Sequence, residues 1–177
     1  MNSFEIEIIK YINQHLSNPV LDVFFEFVSF LGNKGWIWIV FAIVLMAFPK
    51  TRKAGVCNAI ALLLCLLITN LCIKPLFDRL RPYEVDTALK IIIPPLSDGS
   101  FPSGHTCASF ASVFAISKYY KKWSIPLYVF AVLMGISRLY LCVHFPTDVI
   151  AGAGFGILFG YIAYVINERI WLIRNQK

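Results

Sequence analysis

Residues 54–73 read AGVCNAIALLLCLLITNLCI, and the next nine, 74–82, read KPLFDRLRP. The first stretch carries no charge and is long enough to cross a hydrocarbon core of roughly 30 Å as one helix. The residue that follows it is Lys74, with Arg79 and Arg81 close behind. An apolar span ending in a knot of cations reads as a membrane helix that delivers positive charge to one face of the bilayer.

Composition extends this reading to the whole chain. Of 177 residues, 58% are hydrophobic and 15% charged, against roughly 45–50% and about 25% in a soluble domain. The mean hydropathy is +0.69. So much apolar surface has to face lipid. Further apolar segments lie at about 19–32, 35–49, 102–120, 124–142 and 146–172. The expected fold is all-α: a six-transmembrane-helix bundle forming one domain over residues 1–177. Asn18-Pro19 starts the first span with Pro at the first helical position, and Asn33-Lys34-Gly35 is the expected turn into the second. Asp22 and Glu26 share a face of the first span and are expected toward the bundle interior or the interface.

Glu5, Glu7 and Lys10 interrupt residues 1–16, and no small-residue cleavage site follows, so this is not a cleaved signal peptide. Helical spacing puts Phe4, Ile8, Tyr11 and Ile12 on one face, as in a short interfacial helix lying on the membrane.

The net charge of +6 is explained by topology, because the basic residues lie between apolar runs. No nucleic-acid motif occurs, and no nucleic acid is expected as a partner. With the N-terminus in the cytoplasm, the inner side holds Lys10, Lys50, Arg52, Lys53, Lys118, Lys121, Lys122, Arg169, Arg174 and Lys177. The outer side holds Lys34, Lys74, Arg79, Arg81, Lys90 and Arg138. That bias fits the positive-inside rule. The five cysteines show no CxxC or metal-ligand spacing and read as small apolar side chains. No carboxylate cluster suits Mg²⁺, so neither metal nor cofactor is expected.

The same orientation brings three polar runs to the outer face. Lys74 to Arg81-Pro82 is the first, Pro102-Ser103-Gly104-His105 the second, and Ser137-Arg138 with His144 and Asp148 the third. Asp148 lies four residues beyond His144, one helical turn away. A carboxylate on one imidazole nitrogen fixes the tautomer and leaves the other as a nucleophile; a first-turn Asp complementing the helix dipole reads the same spacing differently. A second histidine, His105, can protonate a leaving oxygen. Gly104 lets backbone approach closely, and amides at the start of that helix point at an anion. Ser103 is a donor to the anion or the helix cap. Lys74, Arg81 and Arg138 suit non-bridging phosphate oxygens, or are topogenic charge.

The pattern K-x6-RP, PSGH and SR-x5-H-x3-D resembles the signature of the type 2 phosphatidic acid phosphatase superfamily. All of its residues are present: Lys74, Arg81, Pro82, Pro102, Ser103, Gly104, His105, Ser137, Arg138, His144 and Asp148. The motifs span 74–148, and the span layout extends the likeness to nearly the whole chain. The resemblance implies a metal-independent phosphatase with His144 as nucleophile, Asp148 as its orienting partner and His105 as general acid. The phosphate ligands would be Lys74, Arg81, Ser103, Gly104 and Arg138. It further implies a lipid phosphate as substrate, as in bacterial members acting on undecaprenyl diphosphate or phosphatidylglycerol phosphate. The expected site is on the extracytoplasmic face of the cell membrane. Phosphatidic acid hydrolysis and phosphoryl transfer to another lipid are alternatives. Vanadium haloperoxidases share such a site but are soluble. A small anion transporter would use the cations but has no role for two histidines and an aspartate at this spacing.

Overall fold

The computed structural model describes residues 3–176. Every regular element among them is helical. The helices are α1 (Ser3–His15), α2 (Pro19–Gly32), α3 (Trp36–Ala47), α4 (Arg52–Leu64), α5 (Lys74–Phe77), α6 (Pro82–Val85), α7 (Gly104–Ser117), α8 (Ser124–Tyr140) and α9 (Pro146–Asn175). A π-helical segment, Cys65–Ile73, joins α4 to α5.

All six apolar segments are helical, but they are not six spans. Among the described residues, four stretches are long and apolar enough to cross a membrane: Pro19–Ala47, Arg52–Val85, Lys121–Tyr140 and Pro146–Arg174. α7 is excluded by its 14 residues and its serines. It sits in the middle of the bundle, packed by α4, α8 and α9. Thr106, Ser109 and Ser112 are fully buried there, so this helix meets protein rather than lipid and need not be apolar.

The expected turn at Asn33-Lys34-Gly35 is a kink. Lys34 (φ 50°) and Gly35 (φ 69°) take left-handed backbone there, and Trp36 Nε1 donates to Phe30 O at 2.9 Å across the bend. The chain does not reverse. Asp22 accepts from Tyr140, Ser29 meets Arg138, Gly32 abuts Met134, and Trp38 packs on Phe130. Positions rising along α2–α3 thus meet positions falling along α8, so 19–47 is one bent rod antiparallel to it. The start of α2 therefore lies at the same end as the three motifs, which corrects the reading that put the N-terminus at the opposite end.

α1 docks at that end too, through a face other than the apolar one read in the sequence as lying on the membrane. Its buried residues are Glu5 and Ile9, whereas Phe4 and Tyr11 are 68% and 60% exposed. Ile6 and Ile9 pack with Leu89, Cys142 and Phe145. Asp22 is held by Tyr140, Ser17 and Lys90, while Glu26 is exposed.

α7 and α9 are drawn together by glycines at a spacing of four. A Cβ on Gly152 would lie 2.7 Å from Ser103 O, one on Gly156 2.5 Å from Cys107 O, and one on Gly160 2.9 Å from Ala111 O. Small residues at this period let two backbones touch. The contact sets the second motif directly against the third.

Candidate active site

Each motif residue reaches the site through a local backbone device. Pro75 has no N–H, and its ring clashes with the carbonyl one turn back. The helix before it widens, and Lys74 N donates five residues back to Thr69 O. Such π segments recur at functional sites. Arg81 is extended (φ −85°, ψ 158°), and Pro82 follows at the first position of α6. Arg138 lies in the last turn of α8. Ser103 caps α7, where its hydroxyl accepts from Thr106 N at 3.4 Å. It lies 2.9 Å from Thr106 Oγ1, and Ser103 N donates to Asp148 O at 3.0 Å.

The three cations converge and are buried: Lys74 is 6% exposed, Arg81 and Arg138 1% each. Arg81 donates to Val143 O at 2.7 Å and to Asp98 O at 3.0 Å, and its Nη2 meets Asp98 Oδ1 at 2.8 Å. Lys74 donates to Gly99 O at 3.1 Å and pairs with Asp98 Oδ2. Arg138 touches Ser29, and its buried Nε has no partner. A buried guanidinium N–H without an acceptor is costly, so this donor calls for an anion. A Cβ on Gly104 would lie 3.0 Å from Asn70 Oδ1 and 3.9 Å from Lys74 Cε; the missing side chain keeps the α7 start open beside the lysine.

His144 is 1% exposed, and its Nδ1 is 3.6 Å from Asp148 Oδ2. That is just beyond hydrogen-bond length, and Nδ1 has no other partner. Burial, reinforced by the charges of Arg138, Arg81 and Lys74 and only partly opposed by Asp148, pushes the His144 imidazole down to about 3. It is a neutral base with a free lone pair. Asp148 is fully buried and fixed by several donors: Phe145 N at 2.8 Å and Ser100 Oγ on Oδ2, and Arg79 Nη1 at 2.5 Å on Oδ1. His105 Nε2 meets Asn33 Oδ1 at 3.1 Å, and its ring lies where a Cβ on Gly32 would fall, 2.7 Å from Cδ2.

Lys74, Arg81, Ser103, Gly104, His105, Arg138, His144 and Asp148 thus lie together at the motif end of the bundle, whereas Asp22 and Glu26 stand outside this group. Sequence reading missed four of the group's partners. Arg79 was assigned to topology, yet it binds Asp148. Asp98 belongs to none of the three motifs, yet it bridges Lys74 and Arg81. Burial works to raise the Asp98 carboxyl, but the hydrogen bonds and charges of Lys74 and Arg81 outweigh it and hold it below the usual carboxylate range. Asn33 and Glu5 come from far earlier in the chain, and no local spacing marks either. Among the described residues there is no group of three or more His, Cys, Asp or Glu placed to hold a metal.

The undecaprenyl-diphosphatase of Sulfolobus acidocaldarius is 29% identical over 166 residues, covering 93% of this chain and 79% of that protein. Undecaprenyl-diphosphatase BcrC of Bacillus subtilis is 30% identical over 155 residues, covering 85% and 77%. The crystal structure of Aquifex aeolicus LpxE superposes with a TM-score of 0.76 at 30% identity, covering 92% of this chain and 95% of that one. Residues 52–172, which hold all three motifs, match the PAP2 superfamily, and the chain belongs to that superfamily as one of its membrane hydrolases.

Proposed function

We propose that this chain hydrolyses a lipid phosphate or diphosphate through a phosphohistidine at His144, with undecaprenyl diphosphate as the leading substrate. The observation that carries the reading is the buried trio Lys74, Arg81 and Arg138 around a neutral, lone-pair-bearing His144, with an unpaired guanidinium donor beside it. In such a dry site, fixed cations stabilise charge developing on phosphoryl oxygens better than water does.

In the proposed cycle, His144 Nε2 attacks phosphorus and the bond from phosphorus to the lipid oxygen breaks. Burial and the neighbouring cations hold the His105 imidazole well below its usual range; the bound phosphate dianion offsets those cations, and His105, protonated beside it, gives its proton to that leaving oxygen. Water then attacks the phosphohistidine and gives a proton back to His105. The P–N bond breaks, releasing phosphate and neutral His144. Asp148 faces Nδ1 throughout and keeps the attacking nitrogen unprotonated. The lipid assignment follows the two diphosphatase relatives, whose identity extends over most of this chain.

The proposed orientation puts the motif end, α1 and the start of α2 on the extracytoplasmic side. Lys50, Arg52 and Lys53 lie at the turn from α3 into α4, Lys118, Lys121 and Lys122 lie between α7 and α8, all at the other end, and Arg169 and Arg174 close α9 there. At the motif end, outside the buried site, Lys10 pairs with Asp86 and Lys90 with Asp22, so the larger share of surface positive charge lies at the other end, which the positive-inside rule puts in the cytoplasm. Phe4 and Tyr11 then face the outer interface. The test is phosphate release by purified protein from undecaprenyl diphosphate, phosphatidylglycerol phosphate and phosphatidic acid in excess EDTA. Turnover of undecaprenyl diphosphate above the others is expected; a strict need for added divalent metal would overturn the mechanism.

A further inference from the structure

α1 reaches into the active site by a chain of polar contacts. Glu5 is 6% exposed and its Oε1 accepts from Thr147 N at 3.0 Å and Thr147 Oγ1 at 2.6 Å. Its Oε2 meets Arg79 Nη2 at 2.8 Å. Arg79 Nη1 in turn donates to Thr147 Oγ1 at 2.8 Å and to Asp148 Oδ1 at 2.5 Å. The guanidinium stacks 4.3 Å above the Phe145 ring, which fixes its plane. Glu5, Arg79, Asp148 and His144 therefore form one line of alternating charge ending at the nucleophile.

Resting on the phosphatase reading above, we infer that Glu5 and Arg79 are positioning residues for Asp148, through which the N-terminal helix sets the tautomer and basicity of His144. The geometry assigns a division of labour between the two carboxylate oxygens. Arg79 occupies Oδ1, so Oδ2 is the oxygen turned toward His144. The cation also reduces the negative charge that His144 feels, and Glu5 limits that reduction. Burial works to raise Glu5, but its bonds from Thr147 and Arg79 prevail and hold it ionised. The other charged or titratable groups acting on His144 are Lys74 of α5, Arg81 just before α6, Arg138 of α8 and His105 of α7; Asp98, in the loop before α7, pairs with Lys74 and Arg81. None of them touches Asp148.

The inference makes opposite demands on two conservative variants. In Arg79→Gln, Asp148 acts on His144 with fuller charge and without its anchor. The acid limb of the kcat/KM profile moves to higher pH, because His144 must be neutral to attack and now holds its proton longer. Outer partners of functional side chains cost about 10–100-fold when removed, and a kcat loss of that order with KM unchanged is expected. Arg79→Lys restores most of the loss and returns the limb. In Glu5→Gln the Arg79 charge is less balanced, and the limb moves to lower pH.

A second readout needs no turnover. The ¹⁵N spectrum of substrate-free, histidine-labelled protein, assigned with His144→Gln, should show His144 protonated on Nδ1 in the wild type and a mixture of tautomers in Arg79→Gln. Limbs moving in opposite directions, with the tautomer mixture, support the inference. An unmoved limb and an unmixed Nδ1–H signal in Arg79→Gln overturn it, whether or not kcat falls with the amount of folded protein. Because the spectrum is read without substrate, a wild-type protein inactive on every lipid phosphate refutes the hydrolase reading separately.

Discussion

The two ends of the bundle both hold charged clusters between helices, half-exposed at one end and buried at the other, and they treat charge in opposite ways. At the end away from the motifs, Lys53 meets Glu168 at 2.8 Å, Tyr119 donates to Glu168 at 2.8 Å, and Asn167 donates to Lys53 O at 2.9 Å. Within this cluster the one cation, Lys53, has its own carboxylate, Glu168, and the contacts tie α4, the end of α7 and α9 together. At the motif end, among the described residues, Lys74 and Arg81 share one carboxylate, Asp98, Arg138 pairs with none, and Arg138 Nε and His144 Nδ1 have no partner. Unpaired buried charge is the more expensive arrangement. A helix bundle keeps it where a ligand supplies the missing partner, and that is the physical difference between a clamp and a site.

Substitutions at the two ends should therefore fail differently. The largest effect is expected at the nucleophile. His144→Gln should lower kcat by about 10⁴-fold or more, read as phosphate release, with the protein still folded. Arg138→Lys comes next. It keeps the charge but loses the planar fork, and a drop in kcat/KM of about 10²-fold is expected.

Asp98→Asn should act in the other direction. A neutral amide no longer competes with phosphate for Lys74 and Arg81, so KM should fall about fivefold, from an ion pair worth about 1 kcal/mol. A rise in KM would make Asp98 a substrate ligand rather than a stand-in for one. The smallest effect on catalysis is expected at the clamp. Glu168→Gln should lower the thermal midpoint by a few degrees, for about 1 kcal/mol lost, and leave kcat unchanged.

Acid should also expose the contrast. His144 is held at about 3 in the folded chain, against about 6.5 unfolded. The unfolded chain binds the extra proton between those values, so stability falls as pH drops from about 6.5 toward 3. His144→Gln should flatten that slope in thermal melts at graded pH, whereas Glu168→Gln should not.

The helices and the motif residues were legible in the sequence because both are local patterns. An apolar run of fixed length marks α4 with its π extension, and three short spacings mark the residues around His144. The number of crossings was less legible. Gly35 and Lys34 read equally well as a reversal or a bend, and only the pairing of Asp22 with Tyr140 and Trp38 with Phe130 shows a bend. The apolar face of α1 that carries Phe4 and Tyr11 was legible, but its second, bundle-facing side with Glu5 and Ile9 was not. The buried carboxylate Glu5 has no local signature; its partner Arg79 lies 74 positions away. Gly152, Gly156 and Gly160 were legible at their period of four, and that signal could have foretold the close contact of the second motif with the third.

The most direct measurement is to trap the covalent intermediate. Purified protein is mixed for milliseconds with undecaprenyl diphosphate labelled in its terminal phosphate, quenched in alkali, where a phosphohistidine survives, and mapped by peptide mass spectrometry. A phosphate on His144, absent in His144→Gln and accumulating in a variant slowed at the water step, is the expected result. Full turnover with no labelled histidine, or a label on another residue, would contradict covalent catalysis at His144.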